Sequence, residues 1–416
     1  MAKAYFYCLV DPTSDKPRCA GLMIDDQLTI YELYRPGAGK TIKDISLAKR
    51  EITTKLLQLN DQLTPLITNN FKQTIRHFNL PLDGREYEAY DVHYDMSNKV
   101  KVGSQNRDHQ VINATIANFT RRQEKPYQKI LANAAVAYQS MENRGIVIND
   151  EPMFPIWTMD VFSGRTKATK FPLQGHDGND IIQVTGSSYK TVLMHFDWIA
   201  ADIRVAALMS GDKKLIDSFD YGDPYKSMMD RINDEAIGEE RITRQDCKDL
   251  LLKSINRMDI GSQALRIYPD LVKWIRQCQA QIKKTGRLSS MLDRVFKLEE
   301  GRNELAIINA VMQGSVAHAM HRSIYRIWLK FGHFLLADIH DSIVLCVPNE
   351  PGMVRAVADA VVSIMLRPFT ELLDDDPVFP VRLSIGSRWQ KWEPIETHNS
   401  KGVIKIRARI KQTAGV

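Results

Sequence analysis

The sequence predicts a mixed α/β (α+β) protein of several domains, and three observations carry that prediction. Two β-rich runs, AYFYCLV and AGLMIDDQLTIYELY, open the chain within residues 4–34 and are joined by a turn of Pro, Ser, Asp and Lys. From about residue 126 helical patterns dominate, interrupted by three short strands. The composition is globular: of 416 residues, 44% are hydrophobic and 25% charged, which supplies two or three cores and argues against disorder, collagen or coiled coil.

Taken in order, the β-rich start leads into helical patterns near Ile42 to Leu66 and Asn69 to Phe78, which stop at the breaker NLPLDG. Residues 1–95 are expected to form one domain. Residues 96–125 are polar and basic (SNKVKVGSQNRDHQ, then TRRQEKP) and read as a linker. The helix YQKILANAAVAYQSMENRG follows, within 126–160. The three strands are TVLMHFDW, starting at Thr191, then FLLADIH and DSIVLCV, which meet at Asp341. After Trp392 a basic tail, 393–416, carries Lys401, Lys405, Arg407, Arg409 and Lys411; its alternation fits an edge strand and a nucleic-acid-facing tail equally.

Several classes are excluded. The longest weakly charged apolar stretch, Ala356 to Leu366, contains Asp359 and is too short to span a bilayer. No apolar core with a cleavage site follows Lys3, so a cytoplasmic protein without a membrane partner is expected. Five scattered cysteines, none paired at two- to four-residue spacing, argue against a zinc site or a disulfide framework. A net charge of +6 and a pI near 8.9 are compatible with a polyanionic partner.

Asp197 follows the apolar run TVLMHF, and Asp341 sits inside LLADIHDSIVLCV. Carboxylates in such company are costly unless paired or metal-bound. Two of them, 144 positions apart in sequence but brought together, can hold a pair of Mg²⁺ ions about 3.5–4 Å from each other. One ion would activate an attacking hydroxyl and the other stabilise a leaving pyrophosphate. A structural reading stands beside this: Asp197 as the N-cap of a helix over FDWIAADIRVAALMSG, and Asp341 as a hairpin turn residue. In ITRQDCKDLLLKSINRMDIG, Arg244, Lys248, Leu252 and Asn256 recur every four residues and share a helix face. Two cations one turn apart make a clamp for a triphosphate, although the same spacing also fits a solvated surface.

These segments resemble, in order, the motifs of the family A DNA polymerases, the bacterial DNA polymerase I type. FDWIAADIRVAALMSGDKKLIDSF is similar to motif A through Asp197, Arg204, Ser210, Gly211 and Asp212; TRQDCKDLLLKSIN resembles motif B; ADIHDSIVL resembles motif C. FSGRTKATKFPLQG, YPDLVKWIRQCQAQIKKTGRLSSMLDR, IINAVMQGSVAHAM and IGSRWQKW resemble further family segments in the right order. The resemblance covers roughly residues 160–392. It implies a right-hand polymerase fold: a palm at 161–212 and 286–392 with an antiparallel sheet, fingers at 213–285, and a thumb at 126–160 that is short for the family.

Carried over by residue, the resemblance makes Asp197, Asp341 and the main-chain carbonyl of Trp198 the ligands of two Mg²⁺ ions. Arg244 and Lys248 would bind the incoming triphosphate, Lys248 also protonating the leaving pyrophosphate. Arg165 and Gln313 would touch the primer terminus and template minor groove, with His340 near the primer end. The implied partners are a primed DNA template, deoxynucleoside triphosphates and a processivity or replisome protein, and a monomer is expected. The compact size suggests a viral or mobile-element source, and then the host cytoplasm.

Five positions depart from the pattern. Asp202 stands for the Glu that blocks a ribose 2′-hydroxyl, Asn256 for the Tyr packed against it, Arg257 for the following Gly, and Leu252 for a Phe or Tyr at the sugar. Ser342 stands for the Glu after the motif C aspartate, as in the single-subunit RNA polymerases of bacteriophages and mitochondria. The sugar pocket is therefore expected to be roomier and its discrimination weaker. At the N-terminus, LVDPTSDK, LMIDDQLTIYEL and PLITNNFKQTIRHFNLPLDGREYEAYDV faintly resemble a ribonuclease H-like 3′–5′ exonuclease, matching only at Asp11 and one of Asn69/Asn70, with Thr13 in place of a catalytic Glu. Without its carboxylates such a domain cannot proofread. The expected function is a primer-dependent DNA polymerase; the alternatives are a single-subunit RNA polymerase or primase, and a catalytically idle nucleic-acid-binding subunit.

Overall fold

The structure, a computed structural model, describes residues 3–11, 14–34, 41–82, 86–91, 105–121, 123–159, 162–176, 180–187, 190–220, 223–235, 241–257, 263–298, 302–399 and 402–406. The chain divides into two compact units, Met1–Asn143 and Arg144–Val416. All five cysteines are buried, and none forms a disulfide among the described residues. Among the described residues no helix is long and apolar enough to cross a membrane.

The first unit is built on a five-stranded mixed sheet. β1 (Ala4–Val10), β2 (Pro17–Ile24) and β3 (Gln27–Glu32) form an antiparallel meander. Asp25 and Asp26, both at positive φ, make the two-residue turn between β2 and β3. α1 (Ile42–Asp61) starts at a capping box of Thr41 and Asp44. It stops five residues before the expected Leu66, because Leu63 turns left-handed and Leu66 enters the sheet. β4 (Leu66–Thr68) runs parallel to β1, α2 (Phe71–Phe78) is capped by Asn70, and β5 (Ala89–Asp91) runs parallel to β4. The sheet order is β3-β2-β1-β4-β5.

The segment expected to be a linker, 96–125, holds a helix, α3 (Gln105–Phe119). Its apolar residues Ile112, Ile116 and Phe119 recur at helical spacing and pack against Tyr7, Leu9 and Cys19 of the sheet. α4 (Pro126–Arg144) follows and is buried along most of its length.

In the second unit, short strands β6 (Ile146–Ile148), β7 (Glu151–Met153), β8 (Ile156–Thr158), β9 (Lys167–Thr169) and β10 (Ile182–Val184) lead to β11 (Thr191–Trp198). Then come α5 (Ala201–Ser210), α6 (Lys213–Ser218), α7 (Pro224–Glu235), α8 (Arg244–Arg257), α9 (Gln263–Arg266) and α10 (Pro269–Thr285). After the hairpin β12 (Arg287–Ser289) and β13 (Val295–Lys297), the long α11 (Glu304–Phe331) precedes β14 (Leu335–Ile339) and β15 (Ser342–Pro348). α12 (Pro351–Leu366), β16 (Val381–Arg388), β17 (Lys391–Asn399) and β18 (Gly402–Ile406) complete the unit.

The central sheet has the order β14-β15-β11-β16-β17-β18, with every pairing antiparallel. Along β11 the alternation is plain: Met194, Phe196 and Trp198 are buried, and the Trp198 indole donates to the carbonyl of Met365 in α12 at 2.9 Å. Asp197 and His195 therefore lie on the opposite face. Of the two expectations for the tail, strand structure holds as far as Ile406; residues 407–416 lie outside the described residues.

Candidate active site

The antiparallel register of β11 and β15 sets Asp197 opposite Ser342. One step further, the Trp198 N–H donates to the main-chain carbonyl of Asp341 at 3.1 Å. Asp341 sits in the two-residue turn between β14 and β15, with His340 beside it at φ 60. The hairpin and the strand pairing thus bring together two acids that the chain separates. Asp341 is a turn residue, as one reading had it. Asp197 is not a helix cap: it lies inside β11, and α5 is capped by Ala200, left-handed at φ 52.

The electrostatics follow from this crowding. Burial first, and the neighbouring Asp341 second, push the Asp197 carboxyl up to about 7, against the opposing pull of Arg382 and Lys248. Asp341 is also raised, by burial and then by Asp202, with Arg165 opposing. Two acids held this close to each other favour a cation between them.

Asp202, on the first turn of α5, receives both of its hydrogen bonds from one nitrogen: Arg165 Nη2 lies 2.8 Å from Oδ1 and 2.8 Å from Oδ2. The Arg165 loop is set by Gly164, whose φ of 85 suits glycine, and where a Cβ would run into the Arg294 guanidinium. Arg294 is buried, stacks on Phe296 at 4.5 Å and donates to the carbonyl of Phe162 at 2.9 Å.

α8 supplies the expected cations. Arg244 donates from Nε to Asp223 Oδ2 at 2.6 Å, and its guanidinium lies over the Tyr225 ring at 5.3 Å. Asp223 also accepts from the N–H groups of Tyr225 and Lys226, capping α7. Lys248, one turn along from Arg244, acts on Asp197 electrostatically. Leu252 is half-buried on the same helix; the side chain of Asn256 lies outside the described residues, and Arg257 is exposed. Gln313 is half-buried on α11, and His340 is exposed at its turn. The site therefore gathers Asp197, Asp341, Asp202, Arg165 and Lys248, with Arg244 in an adjoining cluster.

Sequence reasoning missed three residues. Arg382 lies 3.8 Å from Asp197 Oδ2; its signal was a lone arginine in the apolar run VRLSI. Asp223 and Tyr225 sit in GDPYK, where Asp before Pro marks a helix start. Among the described residues no three His, Cys, Asp or Glu side chains cluster to hold a metal ion. Two carboxylates and a main-chain oxygen still fit Mg²⁺, which takes one or two carboxylates and completes its shell with water and substrate phosphates. That donor set is hard oxygen throughout.

No protein-family profile matches the chain. No curated protein matches it either. In structure the chain is similar to the "POL domain of Pol1 from M. smegmatis complex with DNA primer-template and dNTP", with a TM-score of 0.58 over 93% of this chain and 96% of that one. Sequence identity is 13%, so the likeness shows a shared mixed α/β fold.

Proposed function

We propose that the chain is a template-directed, primer-dependent DNA polymerase of the family A type, with relaxed sugar selection and no proofreading. The adjacency of Asp197 and Asp341 on the central sheet, with Lys248 in electrostatic reach, carries the reading. The shared fold supports it, since the similar POL domain was solved with primer-template and dNTP. In this reading the central sheet is the palm, α6 to α10 belong to the fingers, and 126–160 form a reduced thumb.

Two Mg²⁺ ions would be held by Asp197, Asp341 and the Trp198 carbonyl, and when bound they supply Lewis-acid activation of the primer hydroxyl and charge neutralisation on the departing pyrophosphate. The residues do the rest. Arg244, oriented by Asp223 and Tyr225, and Lys248 bind the triphosphate, and Lys248 donates a proton to the leaving group. Arg165, Gln313 and His340 contact the primer-template. Asp202 gates the sugar with a carboxylate one methylene shorter than Glu.

The N-terminal unit reads as an exonuclease remnant. Arg18 reaches Asp11, the one acid that matches the exonuclease pattern, at 3.6 Å, so a guanidinium engages a carboxylate that hydrolysis would need for metal; its nearer partner is Asp108 of α3 at 3.0 Å. Thr13, the other departure, lies outside the described residues. A monomer in the cytoplasm, or the host cytoplasm for a viral source, is the working assembly, with a processivity protein compensating for the small thumb.

A second reading, an RNA polymerase or primase, is favoured by Ser342, which is buried and donates to the Ile339 carbonyl at 3.1 Å where the DNA enzymes carry Glu. Synthesis on primed and unprimed DNA, with deoxynucleotides or ribonucleotides, separates the two. The primary reading expects deoxynucleotide extension of the primer, weaker ribonucleotide addition, and nothing without a primer. Products on unprimed template would transfer the assignment to the second reading, and silence in every lane would leave the idle subunit.

A further inference from the structure

Arg382 stands in a row of residues that crosses the central sheet at the acidic positions. The registers set Ser342 of β15, Asp197 of β11, Arg382 of β16 and Thr397 of β17 opposite one another in turn. Cross-strand partners share a face, and neighbouring strands lie about 4.8 Å apart. Asp341, next to Ser342, is therefore on one side of Asp197, and Arg382 is on the other.

Among the described residues Asp197 is the one ion-pair partner of Arg382, at 3.8 Å, too long for a hydrogen bond. The Arg382 side chain is 37% exposed, so a ligand from solvent can reach it. A cation beside an acid needed for metal competes for that acid, unless a further negative group engages it. The planar fork of a guanidinium matches phosphate oxygens two at a time.

We propose that Arg382 binds the β- and γ-phosphates of the incoming nucleoside triphosphate, as a third cation supplied by the sheet. This rests on the polymerase reading above. In phosphoryl transfer the attacking and leaving oxygens lie roughly in line on opposite sides of the phosphorus. With the primer end at the His340–Asp341 turn, the leaving pyrophosphate lies on the β16 side of Asp197, where Arg382 stands. Lys248 acts on the same carboxylate from α8. The leaving group is then held between a helix cation and a sheet cation. The primer oxygen, its proton passing to solvent, bonds to the α-phosphorus as the bond from that phosphorus to the α–β bridging oxygen breaks. The electron pair leaves with pyrophosphate, and the pyrophosphate takes its proton from Lys248. Arg382 moves no proton; it neutralises that charge.

The test uses Arg382→Ala and Arg382→Lys in the full chain, with inorganic pyrophosphate as the probe and melting temperature as the folding control. The proposal expects the KM for deoxynucleotide and the inhibition constant of pyrophosphate each to rise roughly tenfold or more in the alanine variant. Lysine should restore part of both. The rise in melting temperature that pyrophosphate gives the metal-free chain should shrink in parallel. Primer-template affinity by fluorescence anisotropy, and its salt slope, should stay as in the unmodified chain. Unchanged KM and inhibition constants overturn the proposal. So does weakened primer-template binding with a salt slope reduced by about one, which would put Arg382 on the nucleic-acid backbone. An unmodified chain that neither extends a primer nor responds to pyrophosphate removes the polymerase reading itself, a distinguishable failure.

Discussion

Arg165 Nη2 lies 2.8 Å from both carboxylate oxygens of Asp202. The residue expected at the primer terminus and the residue expected to gate the sugar are thus one ion pair, each a quarter to a third exposed. In the proposed polymerase, primer engagement and sugar selection would share this contact, and whatever moves one side chain re-aims the other.

Three variants test that coupling. Asp202→Ala should lower the preference for deoxynucleotides over ribonucleotides roughly tenfold, the scale of a small steric gate. Arg165→Ala keeps the carboxylate but frees it, and should shift the ratio the same way. Asp202→Glu should raise the preference. The ratio of kcat/KM for the two nucleotide classes reads all three, and a ratio unchanged in both alanine variants contradicts the coupling.

Asp212 is a structural acid despite its place in the motif A resemblance. Its Oδ1 accepts from the Leu215 N–H at 3.0 Å, capping α6, and its Oδ2 accepts from Asp270 and Leu271 at 3.0 and 3.2 Å, capping α10. With two helix starts resting on one buried carboxylate, Asp212→Ala should cost about 2–4 kcal/mol. Denaturant unfolding checks it, and Asp212→Asn should lose less. A loss under about 0.5 kcal/mol, the level of an ordinary surface substitution, would contradict the double-cap role.

Much of the fold and of this site was legible in the sequence because apolar runs and acids coincide there. TVLMHFDW and LLADIHDSIVLCV read as strands, and the four-residue recurrence from Arg244 read as a helix face. What was hidden depends on register and long-range contact. Nothing local pairs Arg382 with Asp197, and nothing in TRQDCK shows that Arg244 leans on Asp223 and Tyr225. α3 was masked by polar composition: three apolar residues at helical spacing decided it, while the surrounding charges suggested a linker.

His321 gives the fold an acid-sensitive element. It is buried on α11 with Nε2 2.9 Å from the Gly164 carbonyl, and burial holds its pKa down to about 4 from the usual 6.5. The folded state refuses a proton that the unfolded chain accepts, so this contribution is complete above about 6.5 and is lost as pH falls toward about 4. Melting temperature should decline through that window, and His321→Gln should flatten the decline. Parallel curves for the two proteins would contradict the assignment.

The central claim is that Asp197 and Asp341 act together on nucleotidyl transfer, and single-nucleotide incorporation under single-turnover conditions tests it most directly. Asp197→Asn and Asp341→Asn should each lower the rate by roughly a thousandfold, the scale on which preorganised charge stabilisation is lost, while primer-template affinity stays within about threefold. Either variant incorporating at the rate of the unmodified chain would contradict the account.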